Sequence, residues 1–250
     1  MALRVEIAPN RTDLIRHARS RLIDRLQAAA QSRDRITLAL SGGSTPKPLY
    51  ESLIEADLPW EKLHIFWGDE RYVPNDHPDS NEKMTREAWL NHSPIPPGNI
   101  HPVPTHLPTP IEAAAAYEET LRQVFGISTP HEFPALDVIL LGMGDDAHTA
   151  SLFPHTEALK VCDRLVTCGE KSGQPRITFT IPLINQAHHV LFLLAGESKQ
   201  PALAQVFAET ADPQQYPSRF IRPDGECLWM MDLAAGQGIV KQEVVTLLTP

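Results

Sequence analysis

Three cysteines are all this chain has: Cys162, Cys168 and Cys227, an odd number with no tight C-x-x-C pair. That speaks against a disulfide framework and against a zinc knuckle, and leaves three buried or idle thiols in a reducing compartment. Basic residues are in deficit as well. Lys and Arg number 22 against 31 Asp and Glu, a formal net charge of -9. Nucleic-acid binding rests on clustered positive charge, so such a surface repels a phosphate backbone and no nucleic-acid partner is expected. A small anion stays possible, because a few cations in a cleft set the field that a ligand meets. Long apolar runs are missing too. The N-terminal Met-Ala-Leu-Arg-Val-Glu-Ile has no apolar signal core, and no run approaches the ~18 residues of a membrane span. The expected location is the cytoplasm, with no membrane partner.

What is present is ordinary globular material, 42% hydrophobic and 21% charged. A length of 250 residues suits one large α/β domain or two small ones. It buries roughly three quarters of its unfolded surface without a staple, and residues 1–250 read as one domain. Val5 and Ile7 alternate with polar neighbours as a short strand. Leu14, Ile15, Ala18, Leu22, Ile23 and Leu26 recur at helical spacing, which predicts an amphipathic helix over about 12–30. Ile36–Leu40 is a continuous apolar strand, Leu63–Trp67 reads as a second buried strand, and Leu136–Leu141 is a third strong one. A helix is expected up to about Leu90. The proline-rich stretch 93–110 should be irregular, with a helix from Ala113 to Phe125. Arg176–Ile181, Val190–Leu194 and Leu228–Asp232 read as strands, and Glu197–Ala208 as a helix that tolerates Pro201 only near its first turn. Apolar strands without alternation, separated by helices, predict a mostly parallel, doubly wound α/β sheet covered on both faces. Ligands of such sheets bind beyond the carboxyl ends of the strands.

Three strand-end loops carry chemistry. Ser41-Gly42-Gly43-Ser44-Thr45-Pro46 combines permissive glycines, hydroxyls and successive N–H groups into an anion nest before a helix; a glycine turn with a serine cap is the plainer alternative. It lacks the G-x-x-x-x-G-K-[ST] spacing of a nucleotide P-loop. Gly68-Asp69-Glu70-Arg71 offers a guanidinium fork suited to phosphate and a carboxylate to orient a sugar hydroxyl or a histidine, unless it is a solvated salt bridge. Gly142-Met143-Gly144-Asp145-Asp146-Ala147-His148 formally matches G-x-G-x-x-A. Pro154 follows too soon for the long helix of a dinucleotide site, and two acidic residues would face the pyrophosphate. The loop reads better as a device that exposes His148 as a proton acceptor, with Asp145 or Asp146 fixing its tautomer and backbone N–H groups serving an oxyanion. Lys199, in Gly196-Glu197-Ser198-Lys199, and Arg176 are further phosphate candidates. His188-His189 lacks the helical spacing of a zinc pair, so no metal site is expected.

Taken together, L-S-G-G-S-T-P (40–46), W-G-D-E-R-Y-V-P (67–74), D-S-N (79–81), L-G-M-G-D-D-A-H-T-A-S-L-F-P (141–154), R-I-T-F-T (176–180) and G-E-S-K (196–199) strongly resemble the 6-phosphogluconolactonase family, in family order. W-M-M-D-L-A-A (229–235) looks like its last strand and helix. The resemblance implies a Rossmann-like fold shared with glucosamine-6-phosphate deaminases. It also implies hydrolysis of a phosphorylated sugar lactone in the oxidative pentose phosphate pathway, without metal or organic cofactor. By position, His148 matches the catalytic histidine, Asp69 and Arg71 the active-site D-E-R pair, Lys199 the phosphate lysine, and Gly42, Gly43, Ser44 and Thr45 the ligand cradle. A monomer or weak homodimer is expected.

One position departs from the pattern. The family usually has glycine before the histidine, and here it is Ala147. If that residue needs positive φ, alanine strains the loop. Two other readings stand beside the lactonase. A deaminase or isomerase resembles D-E-Y and H-I-A-F-N-E-P where this chain has Asp69-Glu70-Arg71 and the acid-free His148-Thr149-Ala150-Ser151-Leu152-Phe153-Pro154, and isomerisation needs that extra proton carrier. A non-catalytic sugar-phosphate-binding module is the other.

Overall fold

The predominantly apolar runs become strands of one parallel sheet. The computed structural model describes residues 2–249. Its strands are β1 (Ala2–Ala8), β2 (Ile36–Leu40), β3 (Leu63–Trp67), β4 (Asp69–Arg71), β5 (Val138–Leu141), β6 (Val166–Lys171), β7 (Gln174–Phe179), β8 (His189–Leu194), β9 (Glu226–Asp232) and β10 (Val245–Leu247). Seven of them pair in the order β10-β1-β9-β8-β5-β2-β3, and every neighbouring pair is parallel. All residues of β2 and β5 are buried. That burial on both faces is why these strands carry no polar alternation.

Helices cover the sheet. They are α1 (Arg11–Ala30), α2 (Lys47–Ser52), α3 (Asn81–Ala88), α4 (Pro110–Phe125), α5 (Ile181–Asn185), α6 (Gln200–Val206) and α7 (Leu233–Gly236). Asn10 caps α1 by accepting from Asp13 N. Leu14, Ala18, Leu22 and Leu26 form its buried stripe, and the three leucines together stabilise its docking by about 6 kcal/mol. Pro201 sits in the first turn of α6, as its missing N–H requires. The stretch read as one helix over 197–208 is a 3-10 turn, Glu197–Lys199, followed by the shorter α6. Likewise α3 ends at Ala88, and Leu90 falls in a 3-10 turn. Residues 93–109 are irregular apart from a 3-10 turn at Pro97–Asn99 and a single parallel bridge from Ile100 to Ile65 of β3. Among the described residues no helix is long and apolar enough to cross a membrane.

One expectation fails, and it matters for the site. Residues 69–71 are not loop but a strand, paired with the strand read at 176–181, which spans Gln174–Phe179. β4, β7 and β6 form a separate three-stranded antiparallel sheet. Gly68 is its hinge: its N–H still bonds Leu40 O at 3.0 Å in the parallel sheet, while its carbonyl accepts Phe179 N at 2.8 Å. The β6–β7 hairpin turns through Ser172 and Gly173, both at positive φ (53° and 78°), as a two-residue hairpin turn requires. The small sheet therefore hangs over the carboxyl ends of the parallel strands.

Candidate active site

From β2 the chain moves to β3 on one side, and after β5 its next parallel strand is β8 on the other. The crevice between neighbours whose connections diverge is the usual ligand position in such a fold. Here it is a cleft of about 500 Å³ lined by residues 41–46 after β2, Asp69 and Arg71 after β3, Gly142, Met143, Gly144 and His148 after β5, and Lys199 after β8. Lys171 and Arg176 close it from the small sheet. All nine residues singled out from sequence, Gly42, Gly43, Ser44, Thr45, Asp69, Arg71, His148, Arg176 and Lys199, line this one cleft.

Two glycines are required there by close approach. A Cβ on Gly144 would lie 2.1 Å from His148 Nδ1, and one on Gly42 would lie 1.8 Å from Asn81 Oδ1. The bare Gly144 lets the imidazole lie against the backbone. The bare Gly42 lets the Asn81 amide pass beneath the cradle to donate to Asp69 O at 2.9 Å. The helix after the cradle, α2, is only six residues long, so its dipole contributes less than the sequence implied and the cradle's own N–H groups matter more.

His148 is oriented by Asp146. Nδ1 lies 2.5 Å from Asp146 Oδ1, which also accepts His148 N at 3.1 Å. Burial is the largest single influence and works to raise the Asp146 carboxyl, but the hydrogen bonds and charge of His148 together with Lys171 hold the group down at about 2. An ionised carboxylate only accepts, so Nδ1 carries a proton, and in the neutral form of the ring the acceptor is then Nε2. The ring packs on Phe153, centroids 4.5 Å apart. The choice left open between two aspartates is thereby resolved. Asp145 goes instead to Lys199 Nζ at 2.7 Å and Ser198 Oγ at 3.2 Å, and the bond from Lys199 lowers its carboxyl.

Asp69 is not the histidine's carboxylate. Its Oδ2 accepts from Ser151 Oγ at 2.7 Å, which fixes it as a wall of the cleft. Strand alternation turns Asp69 and Arg71 one way and Glu70 the other. Glu70 is 2% exposed and accepts Arg71 N, Asn81 N and Glu82 N, each at 2.7 Å. It ties β4 to the start of α3, although burial pushes its carboxyl up to about 7 against those donors. The expected oxyanion donors are also fewer than the 142–148 loop offered. Gly144 N and Ala147 N bond His148 O and Gly144 O, and His148 N is taken by Asp146.

Cations dominate what remains. Arg71 faces Arg176 directly across the β4–β7 pair, an arrangement that disfavours the sheet by itself. Burial, then the neighbouring Arg71, lowers the Arg176 pKa. The side-chain hydrogen bonds of the two guanidiniums go to the backbone carbonyls of Asp79 and Pro175. Two like charges held together beside two lysines are an arrangement suited to a multiply charged small anion. Lys171 was missed from sequence, as were Asn81 as a cradle residue and Ser151. The Ser172-Gly173 pair after Lys171 is a hairpin signal and would have found the first. Ala147 has φ 60°, so alanine does stand where a left-handed residue is needed. Among the described residues no group of three or more His, Cys, Asp or Glu is placed to hold a metal ion.

Fold and cleft thus define a doubly wound α/β protein with a cationic, histidine-bearing crevice at the carboxyl ends of its strands. Residues 9–229 match the family model described as glucosamine-6-phosphate isomerases/6-phosphogluconolactonase, and the chain belongs to that family. It is 60% identical to a 6-phosphogluconolactonase of Nostoc sp., over 93% of this chain and 96% of the relative. It is 56% identical to one of Synechocystis sp., over 96% and 99%. The crystal structure of 6-phosphogluconolactonase from Thermotoga maritima superposes with a TM-score of 0.80 at 32% identity, covering 91% of this chain and 99% of that one.

Proposed function

We propose that this chain hydrolyses 6-phospho-D-glucono-1,5-lactone to 6-phospho-D-gluconate, the lactone-opening step of the oxidative pentose phosphate pathway, with His148 as general base. One observation carries the base assignment: the imidazole is held at 2.5 Å by an ionised Asp146 inside a cleft otherwise rich in cations. Arg71, Arg176 and Lys199, with the Gly42–Thr45 backbone, grip the phosphate, and the anchored sugar presents its ester carbon to Nε2. His148 takes a proton from water as the water oxygen bonds C1. The C1–O5 bond then breaks as the tetrahedral intermediate collapses, and the same imidazole returns the proton to the departing ring oxygen. Asp69, steadied by Ser151, accepts from a sugar hydroxyl. A positioned base of this kind contributes about 10²–10⁴ in rate.

The test is a coupled assay with freshly generated 6-phosphogluconolactone, corrected for spontaneous hydrolysis, beside glucosamine 6-phosphate and unphosphorylated gluconolactone. Rapid turnover of the phosphorylated lactone alone is expected. Turnover of glucosamine 6-phosphate instead would move the chain to the isomerase side of its family. Absence of turnover, with either ligand still bound, would leave a binding module.

A further inference from the structure

The loop that carries His148 gathers most of the non-glycine residues at positive φ among those described. Of the four described non-glycine residues at positive φ, three lie between positions 147 and 155: Ala147 at 60°, Ala150 at 48° and His155 at 59°. Residues with a Cβ avoid that region, so surrounding structure must impose it. Both ends of the stretch are fastened to one remote segment, 214–218. The Ala147 carbonyl accepts from Ser218 N at 2.9 Å and from Ser218 Oγ at 2.8 Å. His155 donates its backbone N–H to Gln214 O at 3.1 Å, and its Nε2 meets Gln215 Oε1 at 2.7 Å. The segment is itself anchored, because the adjoining Arg219 guanidinium bonds the carbonyls of Gln205, Val206 and Ala208 at the end of α6.

Ser218 is 1% exposed and lies outside the cleft wall. The oxygen it holds belongs to the peptide that joins Ala147 to His148. Fixing that peptide plane sets the direction in which His148 leaves the turn, and so the reach of its ring to Asp146. We infer that Ser218 is a positioning residue for His148, its hydroxyl offsetting the strain of an alanine at a left-handed position. The inference rests on the reading of His148 as the base. The N–H half of the clamp is backbone and persists in any substitution other than proline, whereas the hydroxyl half can be removed.

A double-mutant cycle tests it, using wild type, Ser218→Ala, Ala147→Gly and the double variant, each measured for kcat, KM and Tm. Ser218→Ala should lower kcat about fivefold, on the scale of one net hydrogen bond, with KM unchanged. Glycine takes a φ of 60° without a Cβ clash, so in the A147G background the same substitution should change kcat by less than about twofold. An equal loss in both backgrounds, or a loss seen in KM rather than kcat, overturns the inference. If none of the four chains hydrolyses the lactone, the proposed function has failed, and the clamp is judged on Tm. A larger drop from Ser218→Ala beside alanine than in the A147G background supports it, and an equal drop overturns it.

Discussion

At the amino end of the parallel sheet acidic side chains are tied to cations, and at the carboxyl end cations are left in excess. Asp137, just ahead of β5, accepts from both Thr37 N and Thr37 Oγ1 at 2.8 Å and pairs with Arg33. Glu226, which opens β9, pairs with Arg4, Arg25 and His189. The hydrogen bond from His189 and then, against burial, that from Arg25 hold its carboxyl down at about 2. At the other end Arg71 and Arg176 oppose each other in register. One edge has satisfied its charges to hold strands together. The other keeps like charges close at some expense in stability, which is reasonable where a substrate brings the opposite sign.

Substitutions at the two edges should separate activity from stability. The largest effect is expected from His148→Ala, a fall in kcat of about 10²–10⁴ with KM nearly unchanged and no loss of Tm. Near-normal turnover in that variant would remove the assigned base. Next comes Asp137→Ala, which strips the acceptor from a buried Thr37 and from Arg33. It should destabilise by about 2–3 kcal/mol, as for hydrogen bonds to a charged group, measured by urea unfolding, while kcat per folded molecule holds. Arg71→Ala belongs to the cleft edge and should be smaller. KM rises about tenfold or more through loss of a charge-assisted contact to phosphate, kcat changes less, and Tm does not fall, because repulsion with Arg176 is relieved. A clear drop in Tm without a change in KM would place Arg71 with the structural charges and break the contrast.

The same contrast explains what was legible beforehand. β2, β3 and β5 were readable because strands buried on both faces are predominantly apolar, and the loops at their ends inherit the ligand position from the topology. β4 was not readable. Asp69-Glu70-Arg71 has no apolar residue, and it is a strand only because β7 pairs with it and Glu70 is satisfied by backbone donors from α3. β6 was hidden by its mixed pattern, Val166-Thr167-Cys168-Gly169-Glu170-Lys171, in which Val166 and Gly169 are buried and Glu170 and Lys171 exposed. Asp145 and Asp146 are adjacent and chemically identical, so only the turn geometry could assign one to His148 and the other to Lys199. Ser218 lies 71 positions from the carbonyl it clamps, a distance at which no local pattern carries information.

The smallest expected effect concerns His64 and His101, away from the cleft. Their rings stack 5.2 Å apart, with Nδ1 of His64 2.9 Å from Nε2 of His101. His101 also stacks on Phe66. Burial first, then His64 and Arg35, lowers His101 to about 4, and burial and Arg35 lower His64. Between pH 6.5 and about 4 the unfolded chain therefore binds protons that the folded pair refuses. Stability from this pair is complete above 6.5 and is lost as pH falls through that window. Glu70 acts in the opposite direction over nearly the same range, since a carboxyl raised to about 7 when folded favours the folded state as pH falls. The wild-type curve alone thus mixes two signs. The difference between wild type and His101→Phe removes the Glu70 contribution, because that residue is common to both, and should show the variant losing less stability from pH 6.5 to 4. Parallel curves across that interval would mean that the two rings exchange protons with solvent as freely in the folded chain as in the unfolded one. The amino-end side of the comparison would then lose this histidine contribution while keeping its ion pairs.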